Sequence, residues 1–164
     1  MLSQVMAITG TDMGNVQLPD PHTRGLRLER HAGLSEEFVD YFALVDGPGT
    51  ACAAAETEVA LRTVHDMHTD PVFSEGARRA VLEAGSRACH SIPLVGTDGR
   101  CVGMVSAHLA APTAELTAAQ VRALTAIGGQ AGRWLGRHQE TVVRDALEYL
   151  HALATRHRRG HPHR

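Results

Sequence analysis

The stretch from Arg87 to Leu109 constrains the fold most, because it predicts two strands joined by a tight turn. The apolar run Ile92–Val95 is followed by Asp98-Gly99, a dipeptide typical of short hairpin turns. Side chains alternate between the two faces of a strand. The alternation predicts one face of the second strand with Val102, Met104, Ser106 and His108, and another with Cys101, Gly103, Val105, Ala107 and Leu109.

These two faces predict different surroundings. The face with Val105 and Ala107 is apolar or small, which indicates a surface covered by helices. The other face carries the hydroxyl of Ser106 and the imidazole of His108, two residues apart. Polar groups on an otherwise covered sheet face are typical of a small-ligand pocket. A solvent-exposed sheet face is the alternative interpretation.

The chain of 164 residues is long enough for one domain with a substantial core, and 43% of its residues are hydrophobic. It has no signal peptide and no long apolar span, so we expect a cytoplasmic protein without a membrane partner. Cys52, Cys89 and Cys101 lie in no spacing typical of a metal or disulfide site, which predicts free buried thiols.

The N-terminal third predicts a helix and a strand pair. Apolar positions before Gly10 indicate an amphipathic helix, and residues 12–18 alternate as a strand with Asn15 and Gln17 on its polar face. Residues 26–31 predict a hairpin partner for that strand.

Three short helices are predicted next, positioned to cover the pocket face. They begin at the capping residues Ser35, Thr50 and Ser74, and the first is expected to continue through Val45. A strand is predicted over residues 59–64.

The final helix is predicted to begin after Thr117 and to continue to about residue 156. That length exceeds what a globular domain needs. Gly128, Gly132 and Gly136 form a stripe that predicts close approach of another helix, either the N-terminal helix or a dimer partner. We predict a homodimer, with a domain over residues 1–137, a helical extension over 138–156 and a disordered basic tail over 157–164. Nucleic-acid binding by that tail is the less favoured alternative to a solvated tail.

Several segments together resemble the GAF domains of bacterial sensory proteins over about residues 2–138. They are DMGNVQL, ACAAA, DMHTDPVF, SIPL and DGRCVGMVSAHL, in that order. The resemblance implies an α+β, PAS-related antiparallel sheet of five or six strands, with the terminal helices on one face and a ligand pocket under short helices on the other. It also implies dimerisation through the terminal helices, with a signal passed along them. About 25 residues follow the matched region, so we expect any effector to be a separate protein.

The sequence also departs from specialised members of that family. It contains no lysine, so it lacks the Asn-Lys-Phe-Asp-Glu set of the members that bind cyclic nucleotides. Cys52 begins a helix, where a thiolate could be stabilised, but no bilin signature surrounds it. Cys89 comes too late in the chain to match the catalytic cysteine of GAF-fold methionine sulfoxide reductases.

The histidines admit several interpretations. His90 and His108 are expected to flank the pocket as hydrogen-bonding groups, with a core histidine or a haem ligand as alternatives. His65 and His68 could share a metal only if their segment were helical, and it resembles a strand end instead.

The sequence therefore predicts a non-enzymatic sensory or regulatory domain that binds a small molecule, without identifying a cofactor. The alternatives are a ligand-free interaction module and a cysteine-based methionine sulfoxide reductase. The predicted ligand-binding residues are Asn15, Gln17, Asp66 at the rim, His90, Ser91, Met104, Ser106 and His108.

Overall fold

A computed structural model describes the backbone of residues 1–23 and 25–159, and the side chains of these residues up to His151. Its helices are α1 (Leu2–Thr9), α2 (Glu36–Tyr41), α3 (Ala51–Glu58), α4 (Glu75–Glu83) and α5 (Ala118–Arg159). Its strands are β1 (Met13–Pro19), β2 (Leu26–Ala32), β3 (Leu44–Val45), β4 (Arg62–Val64), β5 (Ala88–Val95) and β6 (Cys101–Leu109).

The six strands form one antiparallel sheet in the order β3-β2-β1-β6-β5-β4. The predicted hairpin supplies its two longest strands, and β6 pairs with β1 as well as with β5. This confirms the predicted α+β architecture.

The two faces of the sheet bury two separate clusters. The α5 face, covered by α1 and α5, has a core of Val5, Ile92, Leu94, Val105, Ala107 and Leu124. The cavity face, covered by α2, α3 and α4, has a larger core that includes Leu26, Phe38, Phe42, Met67, Phe73, Val81, Cys89 and Met104. The predicted separation of terminal and short helices is thus confirmed.

The short helices begin where their capping residues predict. The side-chain oxygens of Ser35, Thr50 and Ser74 each accept a hydrogen bond from a backbone N–H in the first turn of the helix that follows. Thr117 caps α5 in the same way, accepting from Gln120 N at 3.2 Å. The Gln120 side chain also donates to Ile8 O at 3.0 Å, which ties α5 to the end of α1.

Two predicted boundaries were wrong. Helix α2 ends at Tyr41, because Leu44 and Val45 pair with β2 as an edge strand. Strand β4 is confined to Arg62–Val64, because Val59 adopts a left-handed conformation (φ 49°) that caps α3.

The predicted side-chain alternation in β6 is wrong at its first two residues. The pairing of β5 with β6 contains an irregularity between Pro93 and Val95, where β6 accommodates one extra residue. Such a bulge reverses the faces on one side of it. Cys101 therefore packs on the cavity face and Val102 on the α5 face.

Two glycines of the predicted stripe in α5, Gly128 and Gly132, pack against the sheet rather than against α1. A Cβ atom at Gly128 would lie 2.5 Å from Pro93 O, and one at Gly132 would lie 2.3 Å from Val95 N. The stripe therefore lets α5 approach the backbone of β5. Helix α5 continues to Arg159, three residues beyond the predicted end, while residues 160–164 of the predicted tail lie outside the described residues.

Candidate functional site: a closed cavity with a polar floor

Strand register brings the predicted polar residues together. Asn15 of β1 lies opposite Ser106 of β6, and Ser106 lies opposite Ser91 of β5. Since all three side chains point to the cavity face, they form one row across three neighbouring strands. His108 lies two residues along β6, opposite Cys89. Each of these polar side chains is at most 5% exposed.

The row faces a small enclosed cavity. Its walls are apolar, with aromatic rings from α2 and the loop before α4. The space in which the centre of a water molecule can move is about 20 Å³, so the cavity is almost filled by side chains. The residues that surround it are Asn15, Gln17, Phe38, Phe42, Thr50, Ala51, Cys52, Met67, Phe73, Val81, Cys89, Ser91 and His108.

His108 is held neutral and in one orientation. Its Nε2 lies 3.3 Å from Asn15 Oδ1, so that Nε2–H donates, and its Nδ1 accepts from the Ser86 hydroxyl at 3.0 Å. The edge of the Phe38 ring packs against the imidazole, with centroids 5.1 Å apart. Burial lowers the pKa of His108 from 6.5 to about 4. Because both ring nitrogens are engaged, neither is available to ligate a haem iron.

Two hydroxyls and a thiol form a second group. The Ser91 and Ser106 oxygens are 3.0 Å apart, and Cys52 Sγ lies 3.4 Å from Ser106 Oγ and 3.8 Å from Ser91 Oγ. Although part of Cys52 reaches the surface, its thiol is enclosed, and burial raises its pKa despite both hydroxyls. Cys52 is therefore a neutral thiol, and the predicted stabilisation of a thiolate at the start of α3 is overcome by desolvation.

The loop from Asp66 to Phe73 forms the roof and is pinned by arginines. The Arg78 guanidinium donates to the carbonyl oxygens of Met67, Asp70 and Phe73. Asp66 accepts from the backbone N–H of His68 at 3.0 Å, which lowers the pKa of its carboxyl group, and Arg87 adds an ion pair at 3.4 Å.

The sequence matches the GAF domain profile over residues 1–134. The chain belongs to the GAF domain family. No curated protein matches it significantly.

Several solved structures share the fold of this chain. A domain assigned to a two-component sensor histidine kinase of Sinorhizobium meliloti superposes with a TM-score of 0.70 and 19% identity, covering 88% of this chain and 92% of that one. The GAF domain of an Acinetobacter phosphoenolpyruvate-protein phosphotransferase gives 0.67 and 15%, covering 88% and 82%. A type II free methionine-R-sulfoxide reductase of Thermoplasma acidophilum gives 0.60 and 11%, covering 80% and 86%. At these identities the likeness shows the fold alone.

Not every predicted site residue of this GAF domain lies at the cavity. Asn15, Gln17, Ser91 and His108 surround it, and Ser106 is linked to it through Ser91 and Cys52. Met104 is fully buried in the core of the cavity face but does not line the cavity. Asp66 lies at the start of the roof loop and faces Arg87 instead.

His90 lies on the opposite face of the sheet, so its assignment to the pocket is wrong. Residues of β5 alternate, and His90 shares the α5 face with Ile92 and Leu94 while Cys89 and Ser91 face the cavity. Its Nδ1 lies 3.0 Å from Thr63 Oγ1, and burial lowers its pKa. His90 is a core histidine with a hydroxyl partner.

Sequence reasoning missed the apolar half of the site. Its side chains come from α2, the residue after it and the roof loop, where sequence patterns predict ordinary core residues: Phe38, Phe42, Met67 and Phe73. No local signal indicates which of these residues face the cavity.

The described residues contain neither a cluster of metal ligands nor a membrane-spanning helix. Among their side chains, no group of three or more His, Cys, Asp or Glu residues is placed to hold a metal ion. His65 contacts Glu115 and Thr113 O rather than His68. None of the described helices combines the length and apolar character needed to cross a bilayer.

Proposed function

We propose that this GAF domain is a sensory or regulatory module that binds a small molecule in its closed cavity and catalyses no reaction. The row of Asn15, Ser106 and Ser91 supports this proposal most directly. Buried polar side chains add little to stability compared with apolar ones, and the α5 face of the same sheet has an almost wholly apolar core. A polar row under the short helices is therefore best explained by recognition.

The state of the three thiols supports the absence of catalysis. Nucleophilic cysteines have lowered pKa values. Burial instead raises the pKa of Cys52, Cys89 and Cys101. At neutral pH all three are almost wholly protonated, which disfavours the alternative of a cysteine-based reductase.

The helical extension of α5 supports a homodimer. Val142, Val143, Leu147, Tyr149 and Leu150 are each 53–66% exposed. They lie on a broad face continuous with the stripe that packs Leu124, Ala131 and Leu135 against the sheet. A second copy presents the same face, so two extensions can cover each other, and ligand binding can be relayed along the paired helices to a separate effector protein.

Native mass spectrometry of freshly purified protein tests the ligand. We expect additional mass on a dimer, and we expect Ala51→Leu, which fills the cavity, to remove it. Ala54→Leu is the matched control, since Ala54 lies on the same helix but faces the outer surface beside Gly47 and Pro48. The proposal would be contradicted if each of the three proteins had only the mass calculated from its own sequence.

The small cavity volume favours a second candidate, a ligand-free interaction module whose pocket is filled by its own side chains. This candidate predicts that Ala51→Leu changes neither bound mass nor partner binding.

Light scattering across a concentration series tests the dimer. Leu150→Glu should shift the protein towards monomer, because it places a charge at the centre of the apolar face. Thr141→Glu adds the same charge on the opposite side of α5 and should leave the dimer intact. A wild-type protein that stays monomeric at the highest concentration would contradict this proposal.

A further inference from the structure

The cavity contains one acceptor that the protein itself does not satisfy. Gln17 is 1% exposed and lines the cavity, yet its Oε1 has no hydrogen-bond partner. Among the described side chains, the other buried atoms without partners are Nε atoms of Arg62 and Arg87, which do not line the cavity. Buried polar atoms are nearly always paired. The amide of Gln17 therefore indicates where a donor from outside the chain would bind.

The neighbouring polar groups are already engaged with one another. His108 is held by Asn15 and Ser86, and the hydroxyls of Ser91 and Ser106 are paired with each other and with the Cys52 thiol. A ligand that accepts a hydrogen bond would have to break these contacts to reach the hydroxyl and thiol hydrogens. Gln17 Oε1 is available without such a loss.

The surroundings of Gln17 carry no charge. The residues that line the cavity include no Asp, Glu, Arg or Lys, and His108 is neutral above about pH 4. An isolated ion transferred to such a site would lose its hydration without gaining a partner. The rings of Phe38, Phe42 and Phe73, with the thioether of Met67, offer apolar contact instead.

We infer that the cavity, which in its closed form has room for about one water molecule, enlarges by movement of its side chains to take an uncharged, largely apolar molecule that donates a hydrogen bond to Gln17 Oε1. This inference rests on the proposed function and specifies the ligand class. A charged metabolite, a nucleotide or a free amino acid does not fit these surroundings.

The shortest way for a ligand from solvent to the cavity passes Thr50 and Phe42. These residues line the closed cavity and also surface depressions beside the Asp46–Gly49 loop. They are thus the side chains that separate the ligand site from solvent there. The roof loop is a less favourable entrance, because three hydrogen bonds from Arg78 hold it in place. A ligand larger than water would enter by displacing Thr50 and Phe42.

Methionine methyl NMR on the full chain tests the inference with phenol, anisole and benzoate at neutral pH. Phenol is neutral and donates a hydrogen bond, anisole is its methylated form without a donor, and benzoate is charged. The Met67 methyl group reports on the cavity, whereas Met6 lies in α1 and serves as an internal control. We expect phenol to shift the Met67 signal and not that of Met6, with anisole at least tenfold weaker and benzoate without effect.

The Gln17→Met variant keeps the shape of the side chain and removes the acceptor. It should reduce the preference for phenol over anisole from at least tenfold to near unity. Equal binding of phenol and anisole to the wild-type protein, or stronger binding of benzoate, would overturn the inference and leave the proposed function standing. No shift of Met67 with any probe would also overturn it, whereas the mass measurement with Ala51→Leu decides the proposed function independently.

Discussion

The two faces of this sheet are built from the same strands and bury opposite kinds of side chain. On β5, Ile92 packs into the apolar core of the α5 face, while its neighbour Ser91 forms part of the polar floor of the cavity face. The α5 face is covered by a long helix whose glycines allow it to approach the backbone, and the cavity face by three short helices and a pinned loop. Under the proposed function, the α5 face supplies stability and the cavity face supplies recognition.

Alanine substitutions at two neighbouring residues of β5, Ile92 and Ser91, compare the contributions of the two faces to stability most directly. Ile92→Ala should lower the free energy of unfolding by about 2–5 kcal/mol, because it removes buried apolar contacts and leaves a void. Ser91→Ala should cost only about 1 kcal/mol, since Ser106 keeps Cys52 as a partner. Denaturant unfolding measures both. Similar losses would mean that the polar row is as important to stability as the apolar core.

The cavity face should also make stability depend on pH. The unfolded chain protonates His108 with a pKa near 6.5, whereas the folded chain does so only at about 4. Stability should therefore be fully present above pH 6.5 and fall as the pH decreases towards 4, by up to about 3 kcal/mol. Denaturant unfolding at several pH values measures the slope. His108→Gln should flatten it, and an unchanged slope would show that other groups are responsible.

Close packing on the α5 face can be tested at two glycines of one helix. Gly132→Ala should destabilise the domain by about 1–3 kcal/mol, because the new Cβ would lie 2.3 Å from backbone atoms of Val95. Gly136 has nothing within 4 Å of that position. Gly136→Ala should therefore stabilise by up to about 1 kcal/mol through helix propensity. Thermal unfolding of both variants checks the contrast, which would fail if both changes stabilised.

The smallest effect is expected at the unpaired amide. Gln17→Met should leave stability unchanged or raise it by less than about 1 kcal/mol, since it removes a buried acceptor without a partner. Asn15→Leu should lower stability by about 1–3 kcal/mol, because it leaves Nε2–H of His108 unpaired. Chemical denaturation distinguishes the two. A clear loss for Gln17→Met would show that its side chain has a structural partner.

Local patterns were sufficient to predict most of the fold. The Asp98-Gly99 turn, the capping residues Ser35, Thr50 and Ser74, and the alternation in β1 each depend on neighbours in the chain. These predictions hold because the short-range contacts on which they depend also form in the folded protein. The boundaries that failed, at α2 and β4, depend on pairing with a distant strand or on a left-handed residue.

The candidate site was predictable only in part. Asn15, Gln17 and Ser106 follow from alternation along their own strands. The prediction for His90 was wrong because it rested on residue type. Side-chain alternation along β5 places His90 on the α5 face. The bulge that exchanges the faces of Cys101 and Val102 is visible only in the pairing of β6 with β5. The sequence of β6 alone does not indicate it.

The sequence by itself determined most elements of this GAF domain, the polarity of the faces of β1 and of most of β6, and the end of its last helix to within three residues. Those properties follow from the spacing of side chains along one helix or strand. Only the tertiary structure decided that the glycines of α5 approach β5, that Asn15, Ser106 and Ser91 form one row, and that the cavity beside them is nearly closed. These features depend on register and packing between segments up to about 90 residues apart, and no local pattern encodes those distances.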